Sequence, residues 1–210
     1  MAFETETVRD FLDILASDAP APGGGSVAAI GGALGAALVS MVSNLTTGKE
    51  KYRDNWSGME EVRSKSEPMR AKFVKLMNDD TESFNEFMAA MKMPKDTDEQ
   101  KESRGAAMAY ASKSATEVPL ATLELCAEMA GLALLAARLG NRNAASDAGS
   151  AALLAEAAGK AAAYNVRINL PGIRDEAFAE SARSRMRGAL SSLEKKCRET
   201  ERLMDHILKA

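Results

Sequence analysis

Apolar residues recur at helical spacing along most of the chain. Val8, Phe11, Leu12, Ile14 and Leu15 share one side of a helical turn, which predicts a short amphipathic helix over residues 5–17 that stops at the breaker of residues 18–22. Residues 26–46 are also helical by length, but Ala28, Ala29, Gly31, Gly32, Ala33, Gly35, Ala36 and Ala37 leave little side chain on any face. That pattern predicts a central helix whose neighbours approach it backbone to backbone. Further helices are predicted over 57–91, 99–139, 145–166 and 175–208, separated by turn signals around Gly48, Pro94, Gly140 and Pro171–Gly172. Thr97 or Asp98 can cap the third long helix, and Pro68 and Pro119 are expected to kink or break the two helices that contain them. With no linker and no repeat, the expectation is one all-α domain over 1–210, a helical bundle around a buried Gly/Ala-rich helix.

Composition sharpens this reading. Hydrophobic residues make up 46% of the chain and aromatic residues only 5%, which favours close helix packing over an aromatic-rich β core. The net charge of −3 argues against nucleic acid and against an electrostatic membrane contact as partners. Cys126 and Cys197 lie far apart in no metal-ligand pattern and read as free thiols, while His206 is the only histidine, so no metal site is expected. The polar, acidic start over residues 1–7 is unlike a signal peptide, and no uninterrupted apolar run reaches the length of a membrane span; the expected location is cytoplasmic.

Three segments carry candidate chemistry. Prolines precede three consecutive glycines in Pro20-Ala21-Pro22-Gly23-Gly24-Gly25-Ser26, and Ser26 is a good N-cap for the helix that follows. Glycines here allow a positive φ and a close backbone approach, so the segment reads as a bare pocket at a helix start, suited to a carboxylate, a carbonyl or a phosphate. In Asn78-Asp79-Asp80-Thr81-Glu82-Ser83-Phe84 three carboxylates crowd one stretch of helix, and Asp80 shares a side with Phe84 and Phe87. A carboxylate held against apolar surface is one route to an acid or base that works near neutral pH. Lys49, Lys51 and Tyr52 form a basic cluster at a helix end, which the helix dipole alone would favour. Ser146 and Asp147 read as a helix start, Asn169 as a helix stop, and Asn165, inside a small-residue helix, as a candidate ligand contact.

Together with Val118-Pro119-Leu120, Gly140-Asn141 and Asn165 to Asn169, these segments resemble the cyclodeaminase/cyclohydrolase family in order over nearly the whole chain. The resemblance implies an all-helical, usually dimeric protein acting on a one-carbon derivative of tetrahydrofolate, with no cofactor beyond that substrate and no metal. It implies Asp80 as the proton-transferring residue. It also implies substrate contacts from Pro22, Gly23, Gly24, Gly25, Ser26, Asn141, Asp147 and Asn165, with Lys49, Lys51 and Tyr52 near the glutamate tail. The family pattern often has a second aspartate where this chain has Asn78, which puts the weight on Asp80. The favoured reaction is hydrolysis of 5,10-methenyltetrahydrofolate to 10-formyltetrahydrofolate. The alternatives are cyclodeamination of formimidoyltetrahydrofolate with release of ammonia, and a non-enzymatic helical assembly module.

Overall fold

The computed structural model of the protein describes residues 5–209, so residues 1–4 of the acidic start, and Ala210, lie outside the described part. Among the described residues six α-helices follow one another: α1 (Val8–Leu15), α2 (Gly24–Asn44), α3 (Trp56–Lys92), α4 (Asp98–Leu139), α5 (Ala145–Asn169) and α6 (Glu176–Leu208). The starts of α1, α4 and α6 are set by side chains that satisfy free N–H groups. Thr7 accepts from the Asp10 N–H at 3.1 Å, Asp175 accepts from the Phe178 N–H at 3.1 Å, and Thr97 with Gln100 forms a reciprocal capping box on α4.

Helix α2 is the axis of the bundle, with α3, α4 and α5 packed around it, and α6 closes the far side against α4 and α5. The small residues act as expected. A Cβ on Gly32 would lie 2.3 Å from the fully buried Phe73 ring of α3, and one on Gly35 would lie 2.6 Å from the Met129 methyl of α4. On α5, a Cβ on Gly159 would lie 2.4 Å from Leu193 of α6. Where α2 and α3 meet further along, Ser40 and Ser66 hydrogen-bond at 2.7 Å inside the core.

Several expectations are corrected. Neither proline breaks its helix: α3 continues through Pro68 and α4 through Pro119. Pro119 has no N–H to offer the carbonyl of Ala115 one turn back, and Asn169 at the end of α5 donates its side-chain N–H to that carbonyl at 2.6 Å. The helix stop Asn169 thus supplies the hydrogen bond that the proline withholds. Pro68 lies on an exposed face, where water can take the freed carbonyl. Helix α2 starts two residues before Ser26, with Gly23 as N-cap, and the cluster around Lys51 forms its own 3₁₀ turn over Glu50–Asn55 rather than the end of α2. Two helices, α2 and α4, do reach the length and apolar character of a membrane span, but more than half of each such window is buried inside the bundle.

The tight Gly32 contact yields a test of this packing. Gly32→Ala forces a methyl into a rigid aromatic ring and should cost about 1–3 kcal/mol, read as a lower urea midpoint at unchanged m-value.

Candidate active site

At the N-terminal end of α2, helices α2, α3, α4 and α5 leave a cavity of about 320 Å³. Gly23, Gly24 and Gly25 form one wall, Asp80, Phe84 and Phe87 of α3 a second, Ser112 and Ala115 of α4 a third, and Asn165 and Asn169 of α5 the fourth. The helical period sorts the acidic stretch. Asp79 points to the outer face and pairs with Lys75 at 2.7 Å, Glu82 is exposed, and only Asp80 of the three carboxylates reaches the cavity.

The carboxyl of Asp80 sits on the first turn of α2. Its Oδ2 accepts from the Ser26 hydroxyl at 2.8 Å, and it also accepts from the Ser26 backbone N–H. Only a glycine permits this seat, since a Cβ on Gly25 would lie 2.0 Å from Asp80 Oδ1. The helix start expected to hold a ligand anion is therefore occupied by the protein's own carboxylate. Likewise, Ser26 is not the N-cap but a fully buried residue behind Asp80, and Pro22 is buried outside the cavity wall. The glycines serve close approach and not a positive φ, which among the described residues occurs at Gly48 alone. Burial raises the Asp80 carboxyl above its ordinary value, while the two Ser26 donors pull it down; burial dominates.

The other proposed contacts divide. Asn165 lines the cavity, with its Nδ2 donating to the Ala161 carbonyl at 2.9 Å. Lys49, Lys51, Tyr52, Asn141 and Asp147 do not reach it: they lie by the C-terminal end of α2, and its 21 residues separate the two ends by about 30 Å at 1.5 Å per residue. Asn141 is buried with its polar atoms engaged. Its N–H donates to Thr46 Oγ1 at 2.8 Å, its Nδ2 to the Leu45 carbonyl at 3.1 Å, and its Oδ1 accepts from the Tyr52 hydroxyl at 3.1 Å and the Asn143 N–H at 3.0 Å. It pins the α4–α5 turn to the end of α2 and has little left to offer a ligand. Lys51 lies 5.6 Å above the Tyr52 ring, and Asp147 sits in the first turn of α5.

Sequence reasoning missed Ser112 and Ala115 as cavity residues. They lie inside α4 with no local signal, although Pro119 and its orphaned carbonyl point to that stretch. The two cysteines are buried free thiols, both pushed up to about 12 by desolvation first, so neither is a nucleophile at neutral pH.

These features define an all-α bundle enzyme in which one desolvated carboxylate, held by a helix start, faces a cavity of small-molecule size. The sequence pattern described as formiminotransferase-cyclodeaminase matches residues 7–188, and the chain belongs to that family. A methenyltetrahydrofolate cyclohydrolase of Methylorubrum extorquens is 48% identical over 186 residues, which is 89% of each chain. A formimidoyltransferase-cyclodeaminase of Sus scrofa is 36% identical over 87% of this chain, which spans only 34% of that longer protein. The crystal structure of a formiminotetrahydrofolate cyclodeaminase from Thermotoga maritima superimposes with a TM-score of 0.89 at 30% identity, covering 98% of both chains.

The raised Asp80 carboxyl has a consequence for stability. Its proton is held more tightly in the folded state, so ionisation counts against folding as pH rises through the ordinary carboxylate range, in full above the folded value. Asp80→Asn should therefore melt at or above the wild-type temperature at pH 7, with the difference shrinking as the pH falls to 4. Calorimetric melting across that range checks it.

Proposed function

We propose that this protein is a methenyltetrahydrofolate cyclohydrolase, converting 5,10-methenyltetrahydrofolate and water to 10-formyltetrahydrofolate, with Asp80 as its acid–base residue. The observation that carries the reading is the single carboxylate in the cavity, raised above the ordinary carboxylate range by desolvation and held in one orientation by Ser26. The relative that matches along nearly its whole length bears that activity in its name.

The methenyl carbon shares a positive charge with N5 and N10 and is electrophilic without further activation. Asp80 takes one proton from a water molecule as its oxygen bonds to that carbon, giving a tetrahedral carbon between the two nitrogens. Asp80 returns the proton to N5, the C–N5 bond breaks, and loss of the hydroxyl proton leaves a formyl group on N10. Phe84 and Phe87 offer apolar faces to the ring system, while Asn165 and the Gly23–Gly25 backbone offer polar contacts that fix its position. In this reading Ser26 is a positioning residue, and no resident cofactor takes part.

The same reading includes a soluble, cytoplasmic homodimer. Val27, Leu34 and Met41 stand exposed on α2 at seven-residue intervals, with Val8 and Leu12 of α1 exposed as well. A stripe of that period suits a helix of a second copy packed along it. Leu34→Glu, on an exposed position, should convert the dimer to a monomer in sedimentation velocity without unfolding it.

Asp80→Asn keeps the size and accepting oxygen but loses the base, so kcat should fall about 10²- to 10⁴-fold with substrate binding largely retained. The wild-type acid limb of kcat/KM should lie above the ordinary carboxylate range and disappear in the variant. Incubation with the methenyl and formimino substrates in parallel, following methenyl absorbance and ammonia, tests the activity itself. Ammonia release without methenyl hydrolysis would replace this reading by the cyclodeaminase one.

A further inference from the structure

Beside the Asp80 cavity lies a second one of about 380 Å³, and the two share Ser112 and Gly172 as wall residues. The lining of the second is charged. Arg104, Lys113 and Arg174 stand against one carboxylate, Asp175, which accepts from Lys113 at 2.7 Å and caps α6 through the Phe178 N–H. Arg104 donates from Nη2 to the Met91 carbonyl at 3.3 Å, and its Nε is buried with no hydrogen-bond partner in the protein. A donor left over in a polar space large enough for water is answered by water, and charged walls of this kind hold it.

Ser112 stands in the shared wall with its hydroxyl unused. Hydroxyls inside these helices commonly donate to a carbonyl one turn earlier: Thr116 to that of Ser112 at 2.9 Å, Thr122 to that of Val118 at 3.1 Å and Thr200 to that of Lys196 at 2.9 Å. The Ser112 hydroxyl has no such bond and no other partner among the described residues, and it lies on a cavity wall instead of being sealed in the core as the unpaired Ser43 hydroxyl is. Of the two serines that line the Asp80 cavity, Ser83 donates to the Asp80 carbonyl at 2.9 Å. That leaves Ser112 as the hydroxyl free to hold a water there.

Hydrolysis needs a water molecule beside the methenyl carbon after the ring system has filled the first cavity and displaced what it held. We propose that the second cavity supplies that water and that Ser112 is its positioning residue, the hydroxyl holding the water between the methenyl carbon and Asp80. The proposal rests on the cyclohydrolase reading above. The bonds and protons are those of that reaction: the water oxygen bonds to the carbon, one proton passes to Asp80, and Ser112 accepts a hydrogen bond from the other hydrogen with its own protonation unchanged. Gly172 keeps the passage open. A Cβ there would meet nothing within 4 Å, so a larger side chain would fill the passage without striking the fold.

The test is steady-state hydrolysis of 5,10-methenyltetrahydrofolate, with calorimetric binding of 5-methyltetrahydrofolate, which cannot react, as the control for an intact site. Ser112→Ala should lower kcat about 10- to 10²-fold while KM and 5-methyltetrahydrofolate binding stay within about twofold. Its pH profile should keep the wild-type acid limb, because the base is untouched. Ser112→Thr retains a hydroxyl and should recover most of the rate, and Gly172→Val, which narrows the passage, should lower kcat as Ser112→Ala does. The proposal is overturned if Ser112→Ala turns over at the wild-type rate, if its loss of rate is matched by a loss of binding, or if Ser112→Thr is as slow as Ser112→Ala. Absence of hydrolysis by the wild type would remove the cyclohydrolase reading and this proposal together, whereas full-rate hydrolysis by Ser112→Ala removes the proposal alone.

Discussion

One contact between two helices organises the functional end of this protein: the Asp80 carboxyl seated on the first turn of α2. Two opposing effects meet there. Burial makes the charge unfavourable and the donors of Ser26 make it favourable, with burial the larger effect. The seat demands a glycine at position 25, a helix that begins at Gly24, and an α3 that passes close enough to deliver the side chain. Each requirement is met by something remote from the carboxyl itself, including the glycine contacts that bring α3 and α4 up to α2.

The opposite end of α2 is fixed by different means. There the hydrogen bonds of Asn141 with Thr46, Leu45 and Tyr52 tie the start of α5 to the α2 terminus, and the Asn55 side chain reaches the Leu139 carbonyl at 2.9 Å. The first end leaves a polar group facing open space. At the second, the backbone and side chain of Asn141 are fully engaged. That contrast separates a place suited to chemistry from one suited to holding helices together, although both are rich in the residue types that usually mark function.

The sequence made the bundle legible because its signals were local. Helical periodicity located all six helices, and the small residues of α2 and α5 announced close packing before any partner was known. Asp80 was also readable, from its spacing to Phe84 and Phe87. What could not be read was partnership across the fold. Nothing near Ser26 says that its hydroxyl serves a residue of α3 rather than its own helix, and nothing near Pro119 says that Asn169 compensates for it. Lys49, Tyr52 and Asn141 looked like site residues because motif segments were treated as one place, whereas helix length sets them about 30 Å from the carboxylate. Ser112, Arg104 and Arg174 carry no local mark, and only tertiary placement brings them to cavity walls.

The continuity of α2 carries a consequence for how such a chain can change over time. One uninterrupted helix carries the seat of Asp80 at its start and meets the Asn141 knot just past its end. A single inserted or deleted residue anywhere between would turn one end against the other by about 100° and shift it by about 1.5 Å. Either the carboxylate would lose its seat or the knot would come undone. The helix can therefore drift freely in the composition of its exposed positions while its length stays frozen, and homologues should differ in what α2 displays to the outside far more readily than in how many residues it contains.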